Sequence, residues 1–203
     1  MTCGPTWVAL DSVRVISNKS TGELGIRIAH NLAQKGARVT LLQGPVLHSE
    51  NLNSIRIVKF NYFDELSKHF KRELKKKYDC VIHSAAVSDY RPVRYVNKKM
   101  TSELRKISLQ LIPTEKLIAR VKAISPNSFL VGFKLESNSK NQFLATKASK
   151  QIKKFNCDLV VANSQIRHRY KALIFNKQMR LLAKKTTRQG IARRLVEILG
   201  DVL

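Results

Sequence analysis

The sequence predicts an α/β fold with a Rossmann-like, mostly parallel sheet flanked by helices, a C-terminal β-hairpin and a long flap. Two observations support this prediction. Short apolar runs alternate with segments of helical periodicity, and polar loops follow several of those runs. A length of 203 residues suits one domain with a sizeable core, so we expect a single domain over residues 1–203.

The first predicted helix follows a polar segment and carries Leu24, Ile28, Leu32 and Ala33 on one face. The later elements are a strand over 38–42, a half-buried strand over 55–60, a charged helix over 65–77, buried strands over 80–83 and 128–133, a helix over 140–155, a strand over 159–162, a hairpin of 172–175 and 179–182, and a last helix after Thr187. Residues 93–111 are basic and poorly periodic, which predicts a flap.

The composition is strongly basic, with a formal net charge of +24. Such a charge favours nonspecific association with nucleic acid. It is spread along the chain without a nucleic-acid-reading motif, so a nucleic-acid-binding protein is an alternative that we do not favour. The three cysteines are far apart in sequence and predict buried free thiols. No run of membrane-spanning length and no signal peptide is visible, so we expect a cytoplasmic protein.

The segment before the first helix, residues 13–25, is rich in glycine and hydroxyl side chains. A loop of this kind presents the unpaired N–H groups of a helix N-terminus, which bind phosphate or carboxylate. Polar segments 4–20, 85–92, 132–136 and 162–164 also follow predicted strands and should converge at one sheet edge. An oxidoreductase that binds a dinucleotide is a second alternative, but its G-x-G-x-x-G fingerprint is absent.

A family resemblance rests on motifs that keep one order along almost the whole chain. They are 4–6, 11–14, 16–22, Gly25, 44–46, 85–90, Lys99, 132–134 and 158–163. The chain resembles phosphopantothenoylcysteine synthetase, also called phosphopantothenate–cysteine ligase, as a stand-alone synthetase domain. It departs from the family at two places: only residues 1–3 remain of a first central strand, and Ser164 stands where the family commonly has Asp.

The resemblance implies a ligase of coenzyme A biosynthesis that joins 4′-phosphopantothenate to L-cysteine through an acyl-nucleotide. It implies CTP or ATP as co-substrate with Mg²⁺, and the Gly4-Pro5-Thr6 form favours CTP. The sequence leaves the residues that would hold the metal open. The resemblance also implies a homodimer in which the flap closes over a site completed by the other subunit. The flap's apolar side chains, which need a partner surface, are Leu104, Ile107, Leu109 and Leu111.

The resemblance assigns catalytic roles to Asn18, which would hydrogen-bond a developing oxyanion, and to Lys99, which would meet the triphosphate from the flap. Lys99 matches the family better than its neighbour Lys98. The implied substrate-binding residues are Arg14, Asn18, Ser20, Thr21 and Gly22. The implied nucleotide-binding residues are Gly4, Pro5, Thr6, Ala85, Ala86, Asp89, Lys99, Phe133, Lys134 and Asn163.

Simpler interpretations remain open for several of these residues. Asn18 is otherwise a helix N-cap, and Asp89 is otherwise a turn residue before Tyr90. Phe133 either stacks on the base or belongs to the core, Lys99 is otherwise a surface lysine, and Arg14 either clamps phosphate or forms a surface ion pair. His83 lies in an apolar run and is expected to be a core histidine rather than a base.

Overall fold

The computed structural model describes residues 1–46, 52–101, 103, 105–167 and 169–203. The elements in chain order are β1 (Thr2–Cys3), β2 (Trp7–Ala9), β3 (Val15–Ser17), α1 (Glu23–Gln34), β4 (Thr40–Gln43), β5 (Arg56–Lys59), α2 (Phe63–Leu74), β6 (Cys80–His83), β7 (Tyr90–Pro92), β8 (Leu111–Pro113), α3 (Ala119–Ile124), β9 (Phe129–Glu136), α4 (Asn141–Phe155), β10 (Leu159–Ile166), β11 (Arg169–Asn176), β12 (Leu181–Lys185) and α5 (Arg188–Val202). Within these residues, no helix is both long and apolar enough to cross a bilayer.

The main sheet has eight strands in the order β12-β11-β10-β9-β6-β1-β4-β5. The six strands from β5 to β10 pair in parallel, and β11 and β12 add the predicted C-terminal hairpin in antiparallel fashion. The parallel part has the doubly wound order of a dinucleotide-binding fold, and the chain reverses direction across the sheet at β1. The predicted fold class is therefore confirmed, including the central position of the two-residue strand β1.

Helices cover both faces of this sheet. The apolar sides of α1 and α5 pack on one face, and those of α2, α3 and α4 pack on the other. The final helix buries Ile191, Leu195, Val196 and Leu199, as its periodicity predicts. In α1 the buried set is Gly25, Ile26, Ile28 and Ala29, while Leu24, Leu32 and Ala33 are half-buried, because α1 packs against both the sheet and α5.

Two short antiparallel ribbons lie outside the main sheet and were not predicted. One pairs β2 with β3 inside the segment that the sequence presents as a polar loop. The other pairs β7 with β8 and joins the two ends of the flap, where the Val93 N–H donates to the Gln110 carbonyl at 3.0 Å. The helix α2 ends at Leu74 rather than at 77, and Lys77 takes a left-handed conformation with φ of 55°.

Candidate functional site

The loops that follow β1 and β6 meet where the strand order reverses. The Ala86 N–H donates to the Gly4 carbonyl at 2.9 Å, and the Thr6 N–H donates to the Ala86 carbonyl at 3.3 Å. The buried Thr6 hydroxyl accepts the Ser88 N–H at 2.9 Å and donates to the Ser88 hydroxyl at 3.1 Å. The Thr6 hydroxyl therefore already accepts one hydrogen bond and donates another. A ligand at this point would contact the backbone rather than the Thr6 side chain.

The N-terminus of α1 lies beside these loops, and its N-cap residue, Gly22, has no side chain to cap it. Gly22 occupies the N-cap position with φ of 75°, and a Cβ there would lie 2.3 Å from Cγ1 of Val46. A Cβ on Gly25 would lie 2.3 Å from Cβ of Cys3, so this glycine lets α1 approach the end of β1. An uncapped helix N-terminus held against a turn is the geometry that binds anions.

Asn18 connects the segment that leads into α1 with the loop that follows β6. Its Nδ2 atom donates to the Ala86 carbonyl at 3.0 Å and makes no cap on α1, so the interpretation of Asn18 as an N-cap is wrong. The Ser20 hydroxyl accepts the Gly22 N–H at 3.3 Å, and the Thr21 hydroxyl accepts the Glu23 N–H at 3.4 Å. These bonds shape the loop into the turn that enters α1. The structure thus brings Asn18 and the Ser20–Gly22 turn beside the loop carrying Ala86.

A third loop, after β8, closes the site near Asp89. The Thr114 hydroxyl donates to the Ser88 carbonyl at 2.5 Å, and the Thr114 N–H donates to the Asp89 carbonyl at 2.9 Å. The exposed Asp89 carboxylate accepts from Nζ of Lys116 at 2.5 Å. Sequence reasoning assigned no site role to Thr114 or Lys116, because both contacts depend on the pairing of β7 with β8.

Arg14 and the flap form a separate group. Arg14 pairs with Asp11 at 3.4 Å and donates to the Met100 carbonyl at 3.4 Å. Burial would raise the pKa of Asp11, but hydrogen bonds from the N–H groups of Val13, Arg14 and Met100 outweigh it and the pKa falls. Asp11, which sequence reasoning gave no role, therefore ties the flap to the β2–β3 turn. Lys98 and Lys99, which precede Met100 in the flap, are both exposed.

Within one chain, Arg14 bonds Asp11 and Met100 rather than a group of the α1 N-terminus. The strand β3 separates Arg14 from Asn18, and four residues of extended chain span about 13 Å. Arg14 also forms the ion pair that the simpler interpretation expected. Its side chain is half-buried. Of the flap's predicted apolar side chains, Leu104 lies outside the described residues, whereas Ile107, Leu109 and Leu111 are exposed.

The last predicted residues lie at the carboxyl ends of β9 and β10. Phe133 is half-buried and packs against the core on the α1 and α5 face. Lys134 points to the opposite face and pairs with Glu136 at 3.3 Å. Asn163 is 8% exposed, and within the described residues its Oδ1 atom has no hydrogen-bond partner. The Asn163 amide lies close enough to the Tyr170 hydroxyl to offset part of the rise that burial causes in the pKa of that hydroxyl.

His83, Cys3 and Cys157 are buried, as predicted, whereas Cys80 is half-buried, and all three cysteines are free thiols. Burial lowers the pKa of His83 to about 4, and its Nδ1 atom lies 3.1 Å from the Thr2 hydroxyl. Burial raises the pKa of each of the thiols of Cys3, Cys80 and Cys157 to about 12. In the described part of the chain, no group of three acidic, histidine or cysteine side chains is placed to hold a metal ion.

The doubly wound sheet, with an uncapped helix N-terminus at its switch point, defines a Rossmann-like α/β domain with an anion-binding geometry. Residues 1–201 match the DNA/pantothenate metabolism flavoprotein C-terminal domain family, and the chain belongs to this family. The family resemblance that the motifs predict is thereby confirmed.

Known relatives agree with this assignment. The chain is 39% identical over 168 residues to the coenzyme A biosynthesis bifunctional protein CoaBC of Thermococcus kodakarensis, covering 81% of this chain and 40% of that protein. It is 29% identical over 209 residues to the CoaBC of Borreliella burgdorferi, covering 98% of this chain and 51% of that protein. The chain therefore spans about half or less of the length of these curated relatives.

Solved structures show the same fold over the whole chain. The DNA/pantothenate metabolism flavoprotein from Streptococcus pneumoniae is 30% identical with a TM-score of 0.88, covering 100% of this chain and 97% of that one. The C-terminal domain of a coenzyme A biosynthesis bifunctional protein CoaBC is 24% identical with a TM-score of 0.77, covering 98% of this chain and 94% of that one. The second likeness shows the fold alone.

Proposed function

We propose that this chain is a phosphopantothenate–cysteine ligase that uses a nucleoside triphosphate, CTP in preference to ATP, in coenzyme A biosynthesis. The observation that carries the proposal is the junction at the switch point, where Asn18 bonds Ala86 beside the uncapped N-terminus of α1. Family membership supports it, and so do the names of the relatives. A Cab2 variant of similar fold has been solved with phosphopantothenate-cysteine, at 17% identity.

The proposed chemistry has two steps. A carboxylate oxygen of 4′-phosphopantothenate attacks the α-phosphorus of CTP, which forms an acyl-nucleotide and releases pyrophosphate. The cysteine amine then attacks the acyl carbon, which forms the amide and releases the nucleoside monophosphate. Both steps gather anionic groups, so positioning and electrostatic stabilisation supply most of the catalysis.

The residues at the junction suit these demands. The Glu23 N–H bonds the Thr21 hydroxyl, and the next N–H groups of the first turn of α1 are placed to hold phosphate or carboxylate oxygens. Asn18 supplies an amide that stabilises a developing oxyanion without adding charge, and its bond to Ala86 fixes its orientation. Lys99, exposed on the flap, is free to approach the triphosphate as a point charge. The oxidoreductase alternative has no such support, because its glycine fingerprint is missing.

Magnesium fits this site as a companion of the nucleotide. The described residues offer no cluster of three ligating side chains, and the Asp89 carboxylate is held by Lys116. Mg²⁺ keeps several waters and takes much of its coordination from phosphate oxygens, so it needs no dedicated protein cage. When bound, the ion would neutralise triphosphate charge.

We also propose that the active form is a homodimer. Apolar side chains of the β2–β3 ribbon and the flap are exposed on neighbouring segments; they are Val13, Val15, Ile16, Val93, Tyr95, Val96, Ile107, Leu109 and Leu111. The two segments are joined by the Asp11 and Arg14 bonds to Met100. Many exposed apolar side chains on two joined segments are typical of a partner contact. A second copy would cover it and bring a flap over the other subunit's site.

The test measures pyrophosphate release from CTP with 4′-phosphopantothenate present and cysteine absent, followed by amide formation when cysteine is added. The proposal expects release that depends on phosphopantothenate, and product only after cysteine. Substitution of ATP for CTP in the same assay tests the nucleotide preference. A chain that folds as described but releases no pyrophosphate with either nucleotide would overturn the proposed function.

A further inference from the structure

Asp11 is a buried carboxylate to which the proposed chemistry assigns no role. It lies at the turn between β2 and β3 and is 3% exposed. Burial would raise the pKa of this carboxyl, but the N–H groups that bond it lower the pKa, so it is ionised at neutral pH. An ionised carboxylate only accepts hydrogen bonds, with about four positions on its two oxygens. The partners of the two oxygens therefore show what Asp11 holds together.

The two oxygens of Asp11 bind different parts of the chain. Oδ1 accepts the Val13 N–H at 2.8 Å and the Arg14 N–H at 2.7 Å, and these bonds close the turn of the β2–β3 ribbon. Oδ2 accepts the Met100 N–H at 3.2 Å and lies 3.4 Å from Nη1 of Arg14. The Arg14 guanidinium also donates to the Met100 carbonyl at 3.4 Å. Asp11 and Arg14 thus hold both backbone polar groups of one flap residue.

Met100 is the point at which the middle of the flap contacts the rest of the protein. Among the residues of 93–111 that the structure describes, it is the only one that is not exposed. The two ends of the flap are paired through β7 and β8, and Asp11 also forms an isolated β-bridge with Val96. A long exposed segment that is held only at its ends samples many conformations, and each further contact removes some of them. The bonds to Met100 therefore restrict where the middle of the flap lies.

We propose that Asp11 is a positioning residue of the ligase, which holds Met100 and thereby fixes how the neighbouring Lys99 approaches the triphosphate. This inference rests on the proposed function. The N–H that Asp11 binds belongs to the peptide unit that joins Lys99 to Met100, so the bond acts directly on the Lys99 backbone. The ammonium of a lysine is a point charge on a flexible stem, so its reach depends on where that backbone lies. The bonds lie within one chain and act alike whether Lys99 serves its own site or that of a second copy.

The experiment uses Asp11→Asn, which keeps the size of the side chain and removes the bonds to the flap selectively. With its carbonyl oxygen towards Val13 and Arg14, the amide retains both bonds of the turn. It then presents its NH₂ group to the Met100 N–H, where two donors face each other. Glu103→Gln is the matched control, because it removes the same charge from an exposed side chain of the flap itself.

Turnover is measured for each variant alone and combined with Lys99→Gln. We expect Asp11→Asn to lower turnover about tenfold in the wild-type chain, within the range that a misplacement of about 1 Å produces. In the Lys99→Gln chain it should lower turnover by less than about twofold, because residues that act through one another are not additive. Equal losses in both chains would give Asp11 a structural role only and refute the inference. Glu103→Gln should change neither, and a loss equal to that of Asp11→Asn would show that only bulk charge matters.

Two measurements on the flap do not depend on activity. In the wild-type chain, the Met100 amide should exchange with deuterium more slowly than the exposed amides of residues 97–99. Exchange as fast as in these neighbours would overturn the inference, even if Asp11→Asn did not fold. Trypsin should cleave after Lys98 and Lys99 about tenfold faster in Asp11→Asn than in the wild-type chain. Unchanged cleavage in the folded variant would show that Asp11 does not hold the flap.

Product formation distinguishes this failure from failure of the proposed function. If the wild-type chain makes phosphopantothenoylcysteine while the losses from Asp11→Asn and Lys99→Gln multiply, only the assignment of Asp11 falls. If the wild-type chain releases no pyrophosphate and makes no product, the proposed function and the assignment fall together, even where the Met100 amide is protected.

Discussion

Replacement of Asn18 by Asp is the most direct test of the switch-point site. The substitution keeps the size of the side chain but removes the Nδ2 donor that bonds the Ala86 carbonyl at 3.0 Å. It also places a carboxylate beside the N-terminus of α1, where the proposed phosphates would bind. Two effects therefore add: the loss of one hydrogen bond, and repulsion between the new charge and the phosphates.

The repulsion is the larger of the two effects. For unit charges about 5 Å apart in an effective dielectric of about 20, Coulomb's law gives about 3 kcal/mol. In a rate this corresponds to a loss of roughly 10²-fold. The hydrogen bond contributes about 1 kcal/mol, or roughly fivefold. We therefore expect Asn18→Asp, in which the two effects add, to lose roughly 10³-fold and to stall at the acyl-nucleotide or earlier.

The assay is pyrophosphate release with 4′-phosphopantothenate and without cysteine, followed by amide formation after cysteine is added. Lys19→Gln, next along the same exposed loop, is the matched control because it changes the net charge by the same amount. Lys19→Gln should lower the rates of pyrophosphate release and amide formation far less than Asn18→Asp does. Amide synthesis at the wild-type rate by Asn18→Asp would refute the assignment of Asn18, and equal losses in Lys19→Gln would show that only bulk charge matters.

Three further predictions concern the flap, the dimer and acid stability. Lys99→Gln should lower turnover by roughly 10²–10³-fold and Lys98→Gln far less, and equal losses would refute the assignment of Lys99. A mixture of Asn18→Asp and Lys99→Gln protomers should recover activity that neither parent has, whereas a fully active monomer would exclude the shared site. Because the pKa of His83 falls from 6.5 in the unfolded chain to about 4 when folded, its contribution of up to about 3 kcal/mol is complete above pH 6.5 and lost on acidification towards pH 4. Unfolding in urea at pH 7 and at pH 4.5 checks this, and the pH dependence should weaken in His83→Asn.

Sequence periodicity predicted the elements in which the spacing of apolar residues shows which face is buried. The last helix repeats its apolar side chains every three or four positions, and those side chains are buried. The ribbons β2–β3 and β7–β8 escaped prediction because each strand has three residues and is set by its partner. The segments 4–20 and 85–92 were correctly expected to meet, because parallel strands bring their carboxyl ends to one edge. The segments 132–136 and 162–164 lie within β9 and β10 and do not form the expected loops.

Burial of charge was the least predictable feature, as Glu73 shows. It lies in a run of lysines and arginines that the sequence presents as a solvated helix face, yet it is 4% exposed. Arg56 on β5 holds both of its carboxylate oxygens, at 3.0 and 3.3 Å, and the Tyr78 hydroxyl donates to it at 2.7 Å. Burial would raise the pKa of Glu73, but these bonds lower it to about 2. Sequence spacing alone does not reveal such contacts.

The start of α1 is consistent with the anion site that the proposed ligase needs at the carboxyl edge of the sheet. Its N-cap residue is Gly22, and a glycine there costs only a few tenths of a kcal/mol relative to a capping side chain. Gly22 takes a left-handed conformation with φ of 75°, and a Cβ there would lie 2.3 Å from Cγ1 of Val46. Asn18, four residues earlier, bonds Ala86 and does not cap α1. The proposed ligase needs this arrangement, because a capping side chain would occupy N–H groups that would otherwise hold phosphate or carboxylate oxygens.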